Sequence, residues 1–133
     1  MVLINYRRQS FRYSFEKPVT CFFKITRIGD RVYSSKLGEA YIDNISSTGL
    51  KLITNLHLPI GTKKIEIELL FTLNQTELNV RGELVWVRDN YTSPKYSYGI
   101  RFNIDVPSQR QIIEELKVFS RGIAVLKKQS NSI

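Results

Sequence analysis

Arginines crowd the start of this chain in Arg7-Arg8-Gln9-Ser10-Phe11-Arg12, and a second polar signature follows at Asn44-Ile45-Ser46-Ser47-Thr48-Gly49. The Arg8-x-x-x-Arg12 spacing puts two guanidiniums within reach of one compact anion. A guanidinium is a planar fork that bonds two phosphate oxygens, or the O6 and N7 atoms of guanine, at once. In the second segment Asn44 can donate and accept together, which suits the edge of a base, and Ser46 can bond a phosphate oxygen. Gly49 lets the chain pass close without a side-chain clash. Together the two segments predict a site for a phosphorylated guanine compound. Taken singly, each also has an ordinary reading: arginines near a terminus as a solvated basic edge, and a Ser/Thr/Gly-rich stretch as a turn between Ile42 and Leu50.

Other chemistries find little support. The one cysteine, Cys21, lies in the apolar run Val19-Thr20-Cys21-Phe22-Phe23 and reads as a small buried hydrophobe. The one histidine, His57, stands in Leu-His-Leu-Pro with no evident acid partner. One Cys and one His give no metal-ligand spacing, and no Ser/His/Asp set or catalytic carboxylate pair is recognisable, so no enzyme is expected. The first residues are too short an apolar run for a signal peptide, and no stretch approaches the length of a membrane span. A cytoplasmic protein is the expectation. The net charge of +8 favours anionic partners, whether nucleotide, nucleic acid or acidic membrane. No nucleic-acid motif accompanies the charge, which disfavours nucleic acid as the natural partner.

The elements that must position these residues read mostly as strands. At 133 residues, 42% apolar and 11% aromatic, the chain has room for one domain with a real core. Phe11, Tyr13 and Phe15 alternate with polar residues, as do Lys64–Leu69 and Tyr98–Ile104, the period of half-buried strands. Less regular apolar runs occur at Val19–Ile28, Lys36–Ile42, Gly49–Thr54 and Val80–Arg88. Leu84-Val85-Trp86-Val87 is apolar throughout and predicts a strand covered on both faces. Reversals are marked by Ile28–Arg31, Leu58–Gly61 and Thr72–Thr76, and Asp89–Tyr96 is a longer polar loop. Six or seven short strands with tight loops indicate an antiparallel barrel or sandwich. Near the end, Ser108 and Gln111 have capping-box spacing. Ile112, Leu116, Phe119, Ile123 and Leu126 then draw one stripe on a helix, suited to packing on the barrel or on a second copy of the chain.

The pair Arg8-x-x-x-Arg12 and Asn44-x-Ser46-x-x-Gly49 resembles the signature of PilZ domains, bacterial receptors for cyclic di-GMP. The family pattern is Arg-x-x-x-Arg followed by Asp/Asn-x-Ser-x-x-Gly. Gly82-Glu83-Leu84-Val85-Trp86-Val87-Arg88 and Tyr98-Gly99-Ile100-Arg101-Phe102 extend the likeness over nearly the whole chain. The resemblance implies a mainly β fold, a six-stranded antiparallel barrel with a C-terminal α-helix, and no catalysis. It divides the chain into an arginine-rich segment (1–12), a barrel (13–106) and a helix (107–128).

By position, the resemblance makes Arg7, Arg8, Arg12, Asn44, Ser46 and Gly49 the cyclic di-GMP site, with no metal and no cofactor. Arg8 and Arg12 clasp phosphates and the Hoogsteen edge of guanine. Asn44 and Ser46 contact guanine and phosphate, and Gly49 keeps the turn open. An arginine at the position of Arg7 tends to accompany two intercalated ligand molecules in this family. Asn44 stands where Asp is commoner, and Asp43 beside it could present a carboxylate instead. Trp86 and Arg101 are placed to flank the site, and Trp86 fits the core equally well. The functional expectation is a receptor whose N-terminal segment orders on binding and signals through a partner protein, as monomer or homodimer. The alternatives are a PilZ-fold interaction adaptor that has lost the ligand and, further off, a nucleic-acid-binding β-barrel.

Overall fold

The computed structural model describes residues 12–89 and 95–131, with side chains to residue 123. Arg7 and Arg8 lie outside the described residues, as does most of the expected Asp89–Tyr96 loop. Seven strands appear among the described residues: β1 (Arg12–Ile28), β2 (Arg31–Val32), β3 (Gly38–Ser46), β4 (Gly49–Thr54), β5 (Ile65–Leu73), β6 (Thr76–Asp89) and β7 (Tyr96–Phe102). Every pairing is antiparallel, in the order β2-β1-β3-β4-β7-β6-β5, and a further pairing of β1 with β5 closes the ring. The result is a six-stranded antiparallel barrel, with β2 as a two-residue appendage on β1, followed by one C-terminal helix.

Closure depends on the length of β1. Two runs that read separately in the sequence, around Tyr13 and around Val19, join into one strand of 17 residues. It pairs with β3 along its first part and with β5 from Cys21 to Ile28. The join is a register break between Ser14 and Val19, which takes up Pro18; proline has no N–H to give a ladder and is at home there. The alternating residues of β3, β4 and β5 (Ile42, Ile45, Leu50, Leu52, Ile67 and Leu69) fill the interior at 2% exposure or less. Tyr98 adds its ring to the core and its hydroxyl to the β4–β5 connection, accepting from the Leu58 N–H at 2.8 Å and donating to the Leu56 carbonyl at 3.0 Å.

The β5–β6 connection is a two-residue turn with Asn74 and Gln75 both at positive φ, 53° and 69°, the conformation whose twist matches a hairpin. The side chain of Asn74 also reaches the helix, donating to the backbone carbonyl of Glu115 at 2.7 Å. That helix, α1 (Val106–Asn131), lays Ile112, Leu116 and Phe119 of its apolar stripe on the barrel. Ile112 and Leu116 are buried, and Phe119 meets Phe15 and Tyr13 edge to face, with centroids 5.3 and 5.9 Å apart.

Two expectations need correction. The helix cap is Asp105, not the Ser108–Gln111 box: Asp105 Oδ1 accepts from the Ser108 N–H at 2.9 Å, and its carbonyl accepts from the Gln109 N–H at 3.0 Å. Pro107 falls in the first turn, where a missing N–H costs nothing, so the helix starts before Ser108. Nor is the Leu84–Val87 stretch covered on both faces. Leu84 is buried, but Val85, Trp86 and Val87 are 44%, 39% and 40% exposed. The reason is a β-bulge. Leu84 pairs with Ile100 and Trp86 with Gly99, leaving Val85 as an extra residue, so Val85 and Trp86 both turn outward.

Candidate functional site

A trough runs across the outer barrel surface where the two signatures meet. Cross-strand register lines up Ser14, Asn44, Lys51, Gly99 and Trp86 on β1, β3, β4, β7 and β6. Beside that row, Arg12 pairs with Ser46, and Gly49 pairs with Arg101, which in turn pairs with Glu83. Of these, Arg12, Asn44, Gly49, Lys51, Trp86, Gly99 and Arg101 line a concavity of about 480 Å³. Gly49 and Gly99 form its floor, Arg12, Asn44 and Lys51 one rim, and Trp86 with Arg101 the other.

Both rims are shaped by bulges. On β3, Ile42 pairs with Leu52 and Asn44 with Lys51, so Asp43 is an extra residue opposite one partner. In regular alternation only one of Asp43 and Asn44 could face outward; the bulge presents both. Asp43 therefore reaches Lys51 Nζ at 3.7 Å and accepts from Asn44 Nδ2 at 3.1 Å. Asn44 Oδ1 accepts a hydrogen bond from Arg12 Nη1. A continuous polar chain, Arg12–Asn44–Asp43–Lys51, lines that rim. Asn44 holds the arginine, and Asp43 orients the carboxamide. Burial lowers the pKa of Arg12 from its ordinary value, though a guanidinium stays charged at neutral pH.

The opposite rim rests on glycine. A Cβ at Gly99 would lie 2.0 Å from the indole Nε1 of Trp86, so the missing side chain is what lets the indole lie against β7. The guanidinium of Arg88 stands 5.6 Å from the Trp86 ring centre, within cation–π range. Arg101 Nη2 donates to Glu83 Oε1 at 2.8 Å.

Ser46 and Gly49 lie at the β3–β4 reversal. Ser46 is 2% exposed. Its hydroxyl accepts from the Thr48 N–H at 3.1 Å and donates to the Gly49 carbonyl at 3.3 Å, so it fastens the β3–β4 reversal from inside. Gly49 begins β4, and a Cβ there would sit 2.3 Å from the Ile100 carbonyl oxygen. Its glycine is required by the approach of β7. Of the residues singled out in the sequence, Arg12, Asn44, Gly49, Trp86 and Arg101 converge on the trough, Ser46 supports it from beneath, and Arg7 and Arg8 lie outside the described residues. Lys51 and Glu83 were not singled out. Lys51 is the one charge on β4 and Glu83 is one of several on β6, patterns any solvated face shows.

A larger groove of about 700 Å³ lies over β1, β5 and β6, beside Phe22, Leu37, Leu70 and Leu78. Among the described residues its one charged lining residue is Glu77, and these residues offer no cation to a phosphate. Among the described residues, no cluster of His, Cys, Asp and Glu could hold a metal ion, and no helix is long and apolar enough to cross a membrane.

Comparison with known proteins places these features in a family. A profile described as PilZ domain matches residues 6–117, most of the chain. Among solved structures, the chain is similar to the PilZ domain with c-di-GMP of YcgR from Escherichia coli, with a TM-score of 0.65 at 13% identity, over 96% of this chain and 99% of that one. No curated protein sequence matches.

Proposed function

The chain belongs to the PilZ domain family, and on that premise we propose that it is a receptor for cyclic di-GMP that acts in the cytoplasm by binding rather than by catalysis. The observation that carries this reading is the seating of Arg12 on the carboxamide of Asn44 at one end of the trough. The second arginine of one signature and the asparagine of the other thereby become a single charged surface. A c-di-GMP-bound PilZ domain among the structural neighbours supports it from outside the chain.

In this reading Arg8 and Arg12 grip phosphate and the Hoogsteen edge of guanine, and Asn44 meets the base. Ser46 and Gly49 keep the strand reversal in shape. Trp86 offers a flat apolar face across the floor, where a second base can stack. Arg7 adds a third guanidinium and favours an intercalated pair of ligands over one. Near one another, the arginines of residues 7–12 repel; a dianion removes that repulsion and adds charge-assisted bonds, so the segment orders across the trough. The changed surface is then read by a partner protein.

Isothermal titration with cyclic di-GMP tests the binding step, and its stoichiometry separates one ligand from two. Arg12→Ala should weaken binding by about ten- to a hundredfold, the range of one or two charge-assisted hydrogen bonds. Amide exchange across residues 5–15 should slow on saturation. Unchanged exchange there would sink the ordering step, and absence of any binding would sink the receptor.

A further inference from the structure

We propose that Lys51 and Arg101 form a second phosphate-binding pair in the trough, apart from the Arg12 end, and that Asp43 and Glu83 are built-in anions competing with ligand for it. The inference rests on the receptor reading above and names what selects a dinucleotide over a mononucleotide at that site.

The register supplies the geometry. Gly49 pairs with Arg101 and Lys51 with Gly99, so Lys51 and Arg101 are diagonal neighbours on adjacent strands. Two glycines complete that square, so neither of its other corners carries a Cβ, and the Trp86 indole lies over the Gly99 corner. Arg12 lies on β1, three strand spacings from Arg101 on β7, about 14 Å between backbones. A molecule with two separated phosphates, or two stacked molecules, gives each end an anion of its own; one phosphate serves both ends only by drawing both long side chains inward. The Arg101 side chain is 65% exposed and that of Lys51 31%, so both can swing over the floor.

The same two cations each hold a carboxylate. Arg101 meets Glu83 at 2.8 Å, and Lys51 meets Asp43 at 3.7 Å. A phosphate bound between them must displace or share those contacts. Exposed ion pairs are worth little in water, so the competition is mild and a ligand with a phosphate for each end prevails. A mononucleotide, whose charge sits on one phosphate, engages one end and gains much less. Asp43 also accepts from Asn44, which ties the Lys51 end to the carboxamide that seats Arg12. Filling one end therefore alters the counter-ion of the other.

The experiment is titration of the full chain with cyclic di-GMP and, separately, with GMP, on wild type, Lys51→Ala, Arg101→Ala and Glu83→Gln. Arg27→Ala, which breaks an ion pair with Glu66 at the far end of β1, controls for net charge. Lys51→Ala and Arg101→Ala should each weaken cyclic di-GMP by about tenfold and change GMP far less, so that the preference for the dinucleotide falls. Glu83→Gln should tighten cyclic di-GMP by about two- to fivefold. Arg27→Ala should leave both affinities within twofold, roughly the effect of a surface charge alone. If wild type binds and Arg12→Ala is impaired while Lys51→Ala and Arg101→Ala match wild type, the second pair is overturned. Weaker binding by Glu83→Gln would overturn the competing anion. No binding by wild type would overturn the receptor reading itself, a result distinct from either.

Discussion

At the residue scale, two glycines do different work although both lie on the floor of the trough. Gly49 is opposed by backbone, the Ile100 carbonyl, whereas Gly99 is opposed by the Trp86 side chain. Backbone in a closed barrel cannot retreat cheaply, but an indole on the surface can turn away. Gly49→Ala should therefore cost stability, about 1–3 kcal/mol by the usual penalty for overpacking, read as a lower denaturant midpoint. Gly99→Ala should leave the fold largely intact and displace the indole. Trp86 is the only tryptophan in the chain, so its emission reports that displacement directly. A spectrum unchanged by Gly99→Ala would refute the seating of Trp86 on Gly99.

At the element scale, the helix is held by its cap as well as by its stripe. Hydrogen bonds from Ser108 lower the pKa of Asp105 below its ordinary value of 3.8. A carboxylate whose folded pKa is depressed contributes stability above its unfolded pKa and loses it as pH falls through the folded value. The contribution of Asp105 is thus complete at neutral pH and lost below about 3.8. Asp105→Asn keeps a capping oxygen but no titrating charge, so its melting temperature should fall less between pH 5 and pH 3 than that of wild type. Equal falls in the two proteins would show that the cap carries no pH dependence. The same scale explains the trough. Regular strands would alternate Asp43 with Asn44, and Val85 with Trp86, between core and solvent. A single extra residue in β3 and another in β6 put all four outside.

At the scale of the whole molecule, barrel closure decides what is reachable. Cys21 lies where β1 pairs with β3 on one side and β5 on the other, fully buried. Burial pushes its thiol pKa up to about 12, so both access and thiolate formation are suppressed in the native state. Alkylation by iodoacetamide at pH 8 should be negligible for the folded protein and complete in denaturant, as read by mass spectrometry. Rapid labelling under native conditions would mean that the β1–β5 seam opens far more readily than the rest of the barrel.

Much of this was legible in the chain because it depends on local pattern. Period-two alternation in Lys64–Leu69 and Tyr98–Ile104 marks strands with one face inward, and the 112–116–119 spacing marks one helical face; both follow from backbone geometry alone. The polar signatures are short enough to read residue by residue, and with the family likeness they led to the barrel. The trough was not legible, because it depends on register. No feature of Ile42–Asn44 or of Leu84–Trp86 shows which residue a neighbouring strand will leave unpaired, and an apolar run such as Leu84–Val87 looks the same buried or bulged outward. Nor can sequence show that Ser46 turns its hydroxyl inward or that Gly49 makes room for Ile100. Closing six strands into one ring sets which side chains stand opposite one another, and that alone brings Lys51, Arg101 and Glu83 beside Arg12 and Asn44.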